Sequence, residues 1–287
     1  MKQCKVLYYL AFVTLFVACS SNNDGKVADQ PDTFNGVVLG EDITRIGMPE
    51  KLDYLINNLS LSDEMIGILA HSDKTLFDAS LLNSSDNVKF YNTSKSKAVN
   101  MGVYGAELNY LIHFDQTEYS MKYMLASKLL ADQIGVAMAF DQDAVKEYES
   151  NVENKDSLIN IIFTVYGNAR RMLKNEEQFM LSSLVIVGSW VENMYVTTEF
   201  FSRTKSTKTK SELVTKIIEQ KEYLAKIIET VEILDEGDNV FISDIIQNLH
   251  AIQTVYDGFG DRLLSEADVK ELNKALTAAR SRIVKVN

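Results

Sequence analysis

Residues 265–286 read SEADVKELNKALTAARSRIVKV, and their spacing decides the fold class. Val269, Leu272, Leu276, Ala279, Ile283 and Val286 advance by alternating steps of three and four, so they share one face of an α-helix. Ser265 and Asp268 stand in capping-box register just before that stripe. Leu213, Ile217, Leu224, Ile228, Val231 and Leu234 repeat the period, with a start expected at Thr209 and Glu212 and a stop at Gly237. Ile242, Ile245, Leu249, Ile252 and Tyr256 form a third stripe, closed by Gly258 and Gly260. Residues 207–287 should therefore pack as an antiparallel three-helix unit.

The same reading extends upstream. The only prolines are Pro31 and Pro49, which leaves 50–287 free of proline. Pro49 suits the first turn of a helix. Helices are expected near 49–59, 62–82, 88–100, 104–134 with a break at Asp115, 142–153, 157–174 and 176–201. From Phe179 to Val191 there is no charge, and apolar residues lie around most of the circumference. Thirteen residues are too few to span a bilayer, so this helix should be the buried centre of a bundle. The fold class is all-α: a multi-helix bundle of about nine or ten helices over residues 48–287.

The N-terminus states an address. Lys2 and Lys5 precede an uncharged run from Val6 to Ala18 that ends at Cys19, the pattern of a secretory signal over residues 1–18. Phe16-Val-Ala-Cys19 resembles the lipobox of bacterial lipoproteins, which implies that Cys19 is acylated on sulfur and becomes the mature N-terminus. Residues 19–47, rich in Asn, Asp and Gly, read as a flexible tether. Cys4 leaves with the signal, so no disulfide is available and no thiol remains for catalysis or zinc.

The chain carries 29 basic and 40 acidic residues, and loss of Lys2 and Lys5 takes the formal charge from −11 to −13. Such a body repels phosphate backbones, so nucleic acid is excluded as a partner and membrane attachment falls to the lipid. Arg203, Lys205, Lys208 and Lys210 break the pattern. They read as a solvated stretch between helices, with an anionic partner as the alternative.

Motifs of chemistry are scarce. His71, His113 and His250 have no Glu or His three or four residues away, so neither HExxH nor a ferritin-like Glu-x-x-His pair is present. The Gly-x-His-x-x-Glu motif of imelysin-like lipoproteins is also missing. Ser85-Asp-Asn87 and Ser94 with Lys97 spell penicillin-binding motifs in reversed order and without KTG. Gly102 and Gly105 read as a helix start or a close packing contact, with Glu107 complementing a first-turn dipole. No metal and no cofactor is implied.

One constellation remains. Ser182, Val185, Ser189, Glu192, Val196 and Glu199 share a face of the central helix, flanked by Trp190 and Tyr195. Small and acidic residues on an apolar helix can line a ligand site, with Glu192 as its polar anchor. Tyr104, Tyr110 and Tyr123 are the aromatics expected across from it. The competing expectation is close helix packing.

The stretches Gly102–Tyr110, Ala126–Gly135 and Val187–Tyr195 resemble a group of helical lipoproteins of Bacteroidota with no known activity. The resemblance implies an envelope lipoprotein with an all-α body over about 49–287, and supplies no catalytic residues; the outer membrane is the expected location. Asp24, just after the cysteine, leaves periplasmic and surface facing both open. The reading that follows is a lipid-anchored envelope protein whose body binds a protein or small-molecule partner without chemistry. An envelope hydrolase using carboxylates from separate helices is the alternative.

Overall fold

Pro49 stands in the first turn of a helix that begins at Met48, where its missing N–H is not needed. The computed structural model describes residues 47–175, 178–260 and 262–285, apart from the side chains of 60–63. The signal, Cys19 and the tether as far as residue 46 lie outside the described residues. Among those described there are ten α-helices and no strand. They are α1 (Met48–Asn58), α2 (Ser60–Ser72), α3 (Ser94–His113), α4 (Thr117–Gln133) and α5 (Gln142–Ser150). The remainder are α6 (Lys155–Asn175), α7 (Phe179–Arg203), α8 (Thr207–Leu234), α9 (Val240–Gly258) and α10 (Glu266–Ile283). The body is all-α, as the periodicity implied.

Helix α7 is the centre. It packs against α1, α2, α3, α6, α8 and α10, and this explains its nearly uniform apolar surface. Among the described residues it alone has the length and apolarity to cross a membrane, yet most of it is buried inside the protein. Its closest partner is α3, and the two run parallel: Val99 meets Gly188, Gly102 meets Ser189, and Tyr110 meets Phe200. The approach is backbone to backbone. A Cβ on Gly102 would lie 2.0 Å from the Val185 carbonyl oxygen, and one on Gly188 would lie 1.9 Å from that of Val99. Gly102 and Gly105 are therefore interior to α3, which runs unbroken where two helices were expected. The contact alternative was the correct one for both, since a Gly105 Cβ would press on the Tyr166 ring.

On the other side of α7 stand α8, α9 and α10, with α9 packed against both α8 and α10 but no close packing between α8 and α10. Tyr256 of α9 donates to the Ile217 carbonyl of α8 at 3.0 Å, while Asn273 and Arg280 of α10 reach Thr198 and Glu192 of α7 in reverse order. Since α7 packs on both α8 and α10, it completes an antiparallel four-helix arrangement.

Capping explains several boundaries. The Ser265–Asp268 capping box is formed, and Arg262 clamps Asp268 from outside with a 2.6 Å bond to Oδ1. Helix α8 starts at an Ser206 cap, three residues before the expected Thr209, because the Ser206 hydroxyl accepts from the Thr209 N–H at 3.2 Å. Helix α2 stops at Ser72, ten residues short of the expected end. Asp73 and Asp78 each accept from an N–H two residues on, and these local bonds fold 74–76 and 79–81 into 3-10 turns. Asp115 breaks α3 from α4 as expected, in a left-handed conformation with φ 58°.

Candidate functional site

Glu192, the anchor expected from sequence, is fully buried and held by Arg280 from α10. Arg280 Nε donates to Oε2 at 2.7 Å and Nη2 to Oε1 at 3.0 Å, a two-pronged pair of the strong kind. Nη2 also donates to the Leu81 carbonyl at 2.7 Å and approaches Glu107 Oε1 at 3.4 Å. The guanidinium lies 4.5 Å from the centre of the Tyr195 ring, a cation–π contact. Burial opposes the Arg280 charge most strongly, but the Glu192 charge and hydrogen bonds outweigh it and raise its pKa.

Glu107 comes to the same place from mid-α3, and it too is fully buried. Its Oε1 accepts the Asn83 backbone N–H, while its Oε2 has no hydrogen-bond donor. Burial, then the charge of Glu192, push the Glu107 carboxyl well above its ordinary value against the pull of Arg280. Two buried carboxyls thus share one guanidinium, and this crowding favours the protonated form of Glu107. Glu107 is therefore no first-turn complement to a helix dipole. Its signal in the sequence was there: it is the lone charge between Ala98 and Ile112.

The four candidate residues of α7 do not form one site. Glu192 and Tyr195 meet at Arg280. Trp190 points the other way and donates its Nε1–H to Gln220 of α8 at 2.9 Å. Ser189 donates to the Gly102 carbonyl at 3.0 Å and borders a cavity on the far side. Of the expected aromatics, Tyr104 and Tyr123 touch edge to face near the carboxyls, at 5.7 Å between ring centres. Tyr110 instead packs among Phe77, Phe114 and Phe200.

That cavity, of about 570 Å³, lies between α2, α3 and α6. Ile68 of α2 and Ile159, Ile162 and Phe163 of α6 supply apolar walls, and Gly105, Ala106 and Ser189 lie beneath. Its volume falls in the range of small-molecule sites, and the wall is mostly apolar with a few polar groups, as such sites require. Arg170 stands toward one end of α6 and His113 toward the other. Burial and then the charge of Lys155 push the His113 imidazole down to about 4, so it is neutral at pH 7. Neither Glu107 nor Glu192 borders this cavity.

The remaining candidates are dispersed. His250 bonds Glu232 at 2.6 Å on the surface, and His71 is exposed. Among the described residues no three His, Cys, Asp or Glu side chains converge. The basic stretch at the α7–α8 junction is largely paired: Arg203 with Asp78 at 2.6 Å and Lys210 with Glu266 at 2.5 Å. Ser85–Asn87 is a 3-10 turn and Ser94 opens α3, with no shared site. No protein-family model, curated protein or solved structure matches the chain.

Proposed function

We propose that this chain is a lipid-anchored envelope protein whose helical body binds a small, largely apolar molecule, without chemistry, between α2, α3 and α6. The 570 Å³ apolar cavity carries this reading. Burying a ligand there would remove its apolar surface from water at about 25 cal/mol per Å². The attachment half rests on the lipobox-like Phe16–Cys19 alone. The hydrolase alternative draws on the meeting of Glu107 and Glu192, but a substrate would have to displace Arg280 from two fully buried carboxyls.

Native mass spectrometry of protein purified from its host should show one bound molecule that organic extraction releases. A bulky wall substitution, Ala106→Phe, should abolish that added mass while the melting temperature stays near wild type. An identical mass with and without extraction, in protein never exposed to detergent, would count against ligand binding. For the anchor, Cys19→Ala should move the chain from the detergent phase to the aqueous phase. An unmodified mature N-terminus would remove the lipid.

A further inference from the structure

The cavity does not end at His113. A second hollow of about 790 Å³ continues from it and shares Gly67, Ile68, His113 and Ile159. The two together follow α6 from Lys155 to Arg170. Fifteen residues of α-helix make that path about 22 Å long, the scale of an extended long acyl chain. Its middle is walled mainly by Ile68, Ile159, Ile162 and Phe163, with Glu64, Asn109 and Asn160 also bordering it.

Its two ends differ. Arg170 is buried at one end, only 4% exposed. The other end carries Lys74, Lys155 and Lys208, with Asp156 and Glu212 as its acids. Lys208 lies 3.8 Å from Glu212, and Lys74 is paired with Asp115. Lys155 differs from both. Its Nζ donates to the His113 carbonyl at 3.0 Å, and the charges of Asp115 and Asp156 act on it from beyond ion-pair distance. A half-buried ammonium held by a carbonyl at the mouth of an apolar trough is suited to a single anionic head.

We propose that the ligand is a single-chain fatty acid, its acyl chain along α6 and its carboxylate on Lys155. This rests on the cavity reading above and adds the chemical class. A diacyl lipid would need a second trough beside the first. A neutral apolar molecule would leave Lys155 without a function in binding.

The test uses the full chain carrying Cys19→Ser, so that no attached lipid competes. The fluorescent fatty acid cis-parinaric acid should bind at one saturable site, and palmitate should displace it at least about tenfold better than hexadecanol. Lys155→Met keeps the apolar stem and should weaken parinaric acid about tenfold, while Lys155→Arg should restore it. Equal competition by hexadecanol, or unchanged binding by Lys155→Met, would overturn the carboxylate assignment and leave the cavity reading standing. Ile159→Trp narrows the neck between the two hollows and is half-exposed enough to fold. Wild-type binding by both Ile159→Trp and Ala106→Phe, or no binding by the parent chain, would overturn the cavity reading and this proposal together.

Discussion

Removing the Arg280 guanidinium leaves the Glu192 carboxylate buried without a counter-charge, so Arg280→Met should lose about 3–5 kcal/mol in urea denaturation. Glu107→Gln should behave oppositely, because Gln reproduces the neutral acid. The sign follows from linkage: a carboxyl whose folded pKa is raised binds its proton more tightly in the folded state. Its contribution is fully present below the unfolded value of about 4.5 and is lost as pH rises toward the folded pKa. Glu107→Gln should therefore match wild type near pH 4 and be the more stable protein at pH 7. His113 runs the other way, since its folded pKa is depressed to about 4. Wild type should lose stability as pH falls from about 6.5 toward 4, and His113→Gln should flatten that part of the profile. The sequence marked Glu192 as unusual, since an acid on an apolar helix needs a reason. Its partner was hidden 88 positions away, at the edge of the α10 stripe, because an ion pair across the fold leaves no local spacing to read.

At the scale of elements, Gly102 against Val185 and Gly188 against Val99 set how closely α3 and α7 approach. Gly188→Ala would force a methyl against the Val99 carbonyl, and backbone cannot rotate aside as a side chain can. The helices must part, and the thermal melt should register a loss of more than about 3 kcal/mol. Gly105→Ala meets only the Tyr166 ring and should lose less. Ser265→Ala removes one half of a formed capping box and should lose about 1 kcal/mol. The caps and stripes were legible because they obey spacings of three and four residues. Helix α3 was misread for the opposite reason: Gly102 and Gly105 look like breakers until the surface packed against them is known. Asp73 and Asp78 ended α2 early by the same local bonding that makes Asp a good cap, a competition that apolar periodicity does not register.

For the molecule as a whole, central burial of α7 follows from composition, while the cavity does not. Nothing in the spacing of Ile159, Ile162 and Phe163 marks them as lining a void; that depends on how α2, α3 and α6 pack. The sequence placed a ligand beside Glu192, and the hollow lies on the Ser189 side of α7 instead. Binding in that hollow is the claim on which the functional reading turns. Titration with N-phenyl-1-naphthylamine, a neutral probe that fluoresces in apolar surroundings, measures it directly. Wild type should bind at one saturable site, and Ala106→Phe should bind at least about tenfold more weakly with helical content and melting temperature unchanged. Equal binding by the two proteins, or no saturable binding by wild type, would contradict a ligand cavity between α2, α3 and α6.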